Sequence, residues 1–291
     1  MNPASVLRAL PVIFLTLLSA FAGDAGVHGL WVWKTASVLE APGSAEALRS
    51  FCQSKGINEV YVSISGKGGA GEEGQLEGLI DLLHKSNIRV EALLGSTDAD
   101  EPGKPREAFL VHVREIVQFN QKHPADRFDG IHLDIEPHQR AENKGPGNLE
   151  FLPNLAETFR AVRAMAEADR MTVNADIEAK VLKGNAEERR MLLTSAPRVT
   201  LMLYELSSPD DGKGNPVKIA KLRKFSDKYL AMAYAGLSDP NLARMAIALR
   251  TPDYGEFLPD MLRALDEAHG KNPHYLGWAR HSYNDHLQKG K

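Results

Sequence analysis

The chain has 291 residues, a formal charge of −3, 43% apolar residues and a single cysteine. That balance provides no positive field to capture nucleic acid or an anionic membrane, and one cysteine excludes an intrachain disulfide framework. Cys52 lies in a helical stretch with no catalytic signature around it and reads as a buried apolar thiol.

Residues 1–22 place Arg8 ahead of an apolar run from Leu10 to Leu18, followed by Ala20-Phe21-Ala22 and Gly23. This is the pattern of a secretory signal peptide with an A-x-A cleavage site, too short and wrongly flanked for a membrane span. The expectation is an exported protein, periplasmic or secreted, whose residues 23–291 form one monomeric domain without stable membrane insertion.

Strand-like and helix-like segments then alternate. A strand at 29–34 precedes a helix at 43–55, a strand at 59–66 a helix at 73–87, and a strand at 89–95 a helix at 104–123. The series continues with strand 129–137, helix 149–169, strand 171–179, helix 183–196, strand 198–206, helix 214–227, strand 228–236, helix 255–270 and strand 274–283. Leu152, Leu155, Phe159, Val162 and Met165 illustrate the helical spacing of the apolar residues. Strands alternating with helices imply parallel pairing through right-handed crossovers, and eight such units predict a closed (β/α)8 TIM barrel, with an open doubly wound sheet as the alternative.

The fourth strand carries the chemistry. In Asp129-Gly130-Ile131-His132-Leu133-Asp134-Ile135-Glu136-Pro137, side-chain alternation puts Ile131, Leu133 and Ile135 on one face and His132, Asp134 and Glu136 on the other. Same-face neighbours lie roughly 6.6 Å apart, two strand rises, close enough to influence one another's protonation. The imidazole is expected to donate to Asp134 and keep it ionised. Carrying the same parity around the barrel turns Ser63, Ser65, Glu91, Asn174, Asp176, Tyr204, His281 and Tyr283 inward, with Trp31 and Trp33 from the first strand. Val62, Ile64, Val173, Ile177, Leu201 and Leu203 then face the helices. Active sites of such barrels lie at the C-terminal ends of the strands, and indole faces beside carboxylates suit carbohydrate rings.

With these residues in view, the fourth strand resembles the Asp-Gly-x-Asp-x-Asp-x-Glu signature of family 18 glycoside hydrolases, the chitinase-like barrels. Asp129, Gly130, Asp134 and Glu136 match it, and His132 stands in place of the middle Asp. Met202-Leu203-Tyr204-Glu205 on the sixth strand is similar to that family's Met-x-Tyr-Asp, with Glu205 for Asp. The resemblance implies a retaining glycosidase without cofactor, assisted by the substrate's own 2-acetamido group. Glu136 would protonate the leaving oxygen, while Asp134 and Tyr204 would hold the acetamido group. Trp31, Trp33, His132, Asn174, Asp176, Glu205, His281 and Tyr283 would contact the carbohydrate.

Three alternatives remain open at this level. His132 could instead fix Asp134 as a direct nucleophile. His132, Asp134, Glu136, Asp176 and His281 could ligate Zn²⁺ or Mn²⁺, although no HxH or HExxH spacing is present. A glycan-binding barrel without catalysis is the third, which the acid Glu136 argues against. Gly66-Lys67-Gly68-Gly69 lacks the rest of a phosphate-binding loop.

Overall fold

The computed structural model of the protein describes residues 26–64, 70–145, 147–204 and 215–285. The signal-peptide reading of residues 1–22, and the candidates Ser65 and Glu205, fall outside the described residues. In chain order the elements are β1 (Val27–Val32), α1 (Thr35–Glu40), α2 (Ser44–Lys55), β2 (Glu59–Ser63), α3 (Ala70–His84), β3 (Arg89–Ser96) and α4 (Lys104–Lys122). They continue with β4 (Gly130–Ile135), α5 (Leu152–Ala168), β5 (Thr172–Glu178), α6 (Ala186–Leu193), β6 (Arg198–Met202), α7 (Asn215–Tyr234), β7 (Arg244–Arg250), α8 (Thr251–Tyr254), α9 (Leu258–His269) and β8 (Tyr275–His281). Each strand pairs in parallel with its sequence neighbour, and β1 pairs with β8 to close a (β/α)8 barrel.

Two separate cores follow from the strand period of two. Ile131, Leu133, Ile135, Val62, Val173, Ile177, Leu201 and Leu203 face outward into the layer shared with the helices. Burying such a side chain stabilises the fold by roughly 1.5–3 kcal/mol, so this outer layer supplies most of the driving force. Inside the barrel a smaller cluster joins Trp31, Tyr61, Leu93, Ala248 and Ala279. Glycine is required where long side chains cross that interior: a Cβ at Gly29 would run into the Tyr61 hydroxyl, and one at Gly130 into Thr172 and Glu91. The Asp-Gly step that opens β4 thus makes room for a buried carboxylate on β3.

The seventh strand differs from the sequence expectation. Residues 228–236 form no strand: up to Tyr234 they are the C-terminal third of α7, and β7 is the later segment RMAIALR. Buried Leu222, Ser226, Tyr229, Leu230 and Ala233 recur every three to four residues, so the helical period wins over the apparent alternation. The continuous apolar run from Met245 to Leu249 is what a strand buried on both faces requires.

Candidate active site

β4 and the residue that follows it deliver three inward side chains at rising heights. His132 is sealed, Asp134 is 9% exposed, and Glu136 stands at the rim with 22% of its side chain exposed. Asp134 and Glu136 reach a cavity of about 530 Å³ at the C-terminal ends of the strands, whereas His132, expected to contact the carbohydrate, lies outside its lining. Trp31 from β1 and Trp33 just after it, Asp176 from β5, Tyr204 after β6 and His281 from β8 line the same cavity as Asp134 and Glu136, with Ser96 and Thr97 from the end of β3. Arg140 fixes that last wall, donating to the Asp100 carboxylate and to the Thr97 carbonyl.

Beneath the cavity lies a line of buried charge. The His132 ring nitrogens face Glu91 Oε2 at 3.2 Å and Asp176 Oδ1 at 2.9 Å, with all three side chains 0% exposed. Arg198 reaches Glu91 at 3.1 Å and Glu59 from below. Burial opposes a charged imidazole, but Asp176 and Glu91 outweigh it and raise His132 to about 9. Glu91 feels the same burial penalty, which Arg198 and His132 more than offset, holding it below the usual glutamate range. The expectation that His132 donates to Asp134 is therefore corrected. Barrel closure sets a carboxylate from β5 and another from β3 against the ring, and both nitrogens are taken.

Asp176 accepts on each oxygen, from His132 Nε2 and from Trp31 Nε1 at 3.3 Å. Burial still lifts it above the ordinary aspartate range, with His132 and Trp31 pulling it back. Asp134 is pushed much further. Burial, then the charges of Asp176 and Glu136, hold its carboxyl well above the usual range, and its buried Oδ1 has no hydrogen-bond partner among the described residues. The two neighbouring carboxyls thus differ: His132 and Trp31 favour the ionised form of Asp176, whereas burial and the two nearby carboxylates disfavour that of Asp134. Glu136 meets His138 at 3.4 Å and accepts from Gln139, both on the turn after β4, while His138 also faces Glu178 at 3.6 Å.

Other expected residues lie elsewhere. Asn174 is 0% exposed and accepts the Thr200 hydroxyl at 3.1 Å, below the cavity wall. Ser63 is half-buried at the end of β2 and outside the lining. Tyr283 does not reach the cavity: it packs edge-on against Phe51 of α2, ring centroids 5.2 Å apart, in the outer core. β8 ends at His281, so strand parity does not extend to position 283. The five donors considered for a metal form no ligand shell, and among the described residues no three His, Cys, Asp or Glu side chains are placed to hold an ion. Glu59, Arg198 and His138 carry no motif in the sequence, although Glu59 and Arg198 share the inward parity of Ser63 and Tyr204. A wider open groove of about 990 Å³ along α7 presents Arg223, Lys224, Asp227 and Lys228, with no convergent acid and base.

No protein-family model matches the chain, and no curated protein does. Solved structures match it. A chitinase from Chromobacterium violaceum ATCC 12472 aligns with a TM-score of 0.54 and 13% identity, over 89% of this chain and 94% of its own. An endo-1,4-beta-mannanase from Rhizomucor miehei aligns with a TM-score of 0.55 and 9% identity, over 88% and 86%. The chain shares their barrel. At these identities the likeness is one of fold, and chemistry has to be argued from the site. Among the described residues no helix is long and apolar enough to cross a membrane.

Proposed function

We propose that the protein is an exported glycoside hydrolase acting on a polysaccharide or glycoconjugate, with Glu136 as its general acid. The observation that carries this reading is the convergence of Glu136, Asp134 and Tyr204 on one cavity walled by Trp31 and Trp33. The acetamido oxygen of the substrate attacks the anomeric carbon, the glycosidic C–O bond breaks, and the Glu136 proton passes to the leaving oxygen. Water then attacks the anomeric carbon from the opposite face, the bond to the acetamido oxygen breaks to restore the acetamide, and the water's proton returns to Glu136, so the configuration is retained. Asp134 accepts the acetamido N–H on its unpartnered Oδ1 and Tyr204 hydrogen-bonds the same group. Burial and the neighbouring carboxylates disfavour the ionised form of Asp134, which weakens it as a nucleophile and favours the acetamido group as the attacking species. The charged line from Glu59 to Asp176 keeps an anion beneath the sugar, where positive charge develops.

The test is a panel of chitin and mannan oligosaccharides followed by proton NMR, with a cyclic thiazoline mimic and a fluorinated sugar as probes. Retained anomers, tight mimic binding and no covalent adduct are expected. A covalent adduct on Asp134 would replace substrate assistance by a direct nucleophile, and binding without turnover would make the barrel a glycan-binding protein.

A further inference from the structure

Trp33 is held at both ends by the segment that closes the barrel. Its backbone N–H donates to Asn284 Oδ1 at 2.9 Å, an oxygen that also accepts the Lys34 N–H at 3.1 Å. Its indole Nε1 lies 3.0 Å from His281 Nε2. Across the ring, position 95 is a glycine, and a Cβ there would sit 3.6 Å from Trp33 Cζ3, so the indole lies close over the β3 backbone. The rest of the ring borders the cavity with Asp134, Glu136 and Tyr204.

The indole N–H can only donate, so the 3.0 Å contact assigns the lone pair of the bond to His281 Nε2. The imidazole in this arrangement is neutral and carries its proton on Nδ1, the nitrogen that faces Asp285 Oδ2 at 3.9 Å. His281 therefore has no free lone pair to act as a base, and its service is to the orientation of Trp33. We infer that His281 is a positioning residue whose neutral Nδ1–H tautomer locks the Trp33 indole as a stacking platform for a pyranose ring at the rim of the cavity. The ligand named in this inference rests on the sugar-site reading above; the tautomer and the lock do not. A platform set before binding lowers the ordering cost of capture, and the apolar C–H face of a pyranose is its natural complement.

The same geometry makes the platform sensitive to pH. A proton on Nε2 would set an N–H against the indole N–H, two donors with no acceptor between them. The groups facing His281 are Asp285 beyond β8, Arg250 from β7, Glu136 after β4, Tyr204 after β6, Trp31 from β1 and Trp33 just after it. Burial and Arg250 disfavour the imidazolium more than Asp285 and Glu136 favour it, and the ring stays below the usual histidine range. The lock consequently holds at neutral pH and releases on acidification.

Nitrogen-15 NMR of the full chain reads the tautomer directly, and calorimetry with chitotetraose and mannotetraose reads the platform. The wild type is expected to show His281 as the Nδ1–H tautomer, with the Trp33 indole N–H signal moving as the ring gains its second proton. His281→Phe should weaken the tighter of the two sugars about ten-fold, the loss of one ordered aromatic contact. His281→Gln, whose amide oxygen can accept the indole N–H, should restore most of it, and adding Trp33→Leu to His281→Phe should cost little more. An Nε2–H tautomer, or unchanged affinity in His281→Phe beside a wild type that binds, would overturn the inference. A wild type that binds neither sugar, with tautomer and coupling as expected, would overturn the sugar-site reading and the platform's ligand while the lock itself stands.

Discussion

Replacing His132 by leucine removes the cation that lies between two buried carboxylates. Glu91 and Asp176 lie 3.2 and 2.9 Å from its ring, all three side chains at 0% exposure; in the variant Glu91 keeps Arg198 at 3.1 Å, while Asp176 is left buried with only the Trp31 indole N–H. Removing one partner from a buried ion pair costs about 3–5 kcal/mol. An independent route gives a similar figure: raising the imidazole from 6.5 to about 9 corresponds to about 3 kcal/mol, at roughly 1.4 kcal/mol per tenfold change in proton affinity. For a domain of this size that is a fall in Tm of about 6–12 °C. The pH dependence has a defined sign. A group whose pKa is raised on folding contributes fully below 6.5 and loses its contribution as pH rises through about 9. Calorimetric Tm of wild type and His132→Leu, measured from pH 6 to 9.5, should show the widest gap at the acid end and a narrowing gap toward the alkaline end. A gap of less than about 2 °C at pH 6, or one that widens with pH, would refute the assignment of His132 as a buried cation.

At the opposite end of the barrel, Asp266 of α9 accepts from Tyr275 and Trp278 at 2.9 Å each and meets His28 of β1 at 3.4 Å. Burial disfavours the His28 cation, but Asp266 and the Gly56 carbonyl outweigh it and raise the imidazole. Its contribution is therefore complete below 6.5 and fades as pH rises through the folded value, and Asp266→Asn should flatten that part of a Tm-against-pH curve. Prolonged chelation should leave turnover unchanged, since among the described residues no three His, Cys, Asp or Glu side chains are placed to hold an ion; activity lost to chelator and recovered with added ion would move the reading to a metal hydrolase. Export with cleavage after Ala22 should give a mature N-terminus at Gly23 by terminal sequencing, and an uncleaved Met1 would contradict the signal-peptide reading.

Periodicity made one kind of information legible and left another hidden. The alternation in β4 set Ile131, Leu133 and Ile135 against His132, Asp134 and Glu136, and the folded chain keeps those faces. A period of two says which face a side chain takes and nothing about its partner. His132 was expected beside Asp134, two residues on, yet it bonds Asp176 and Glu91 from the two flanking strands. Arg198 and Glu59, paired across 139 residues of sequence, were invisible for the same reason. β7 was misplaced because Met245 to Leu249 has no polar alternation, being buried on both faces, whereas the end of α7 mimics one over a few residues. Tyr283 was carried inward by extending a strand two residues past its last paired residue, His281.

The most direct test of the account is the ratio of kcat/KM for wild type and Glu136→Gln on an oligosaccharide the wild type cleaves. The variant keeps the size and most hydrogen bonds of the rim side chain while losing the transferable proton. General acid catalysis predicts a fall of about 10²-fold or more, with sugar affinity largely retained and Tm little changed. Turnover by Glu136→Gln within a few-fold of wild type would contradict the central claim, because the proton would then have to come from another group.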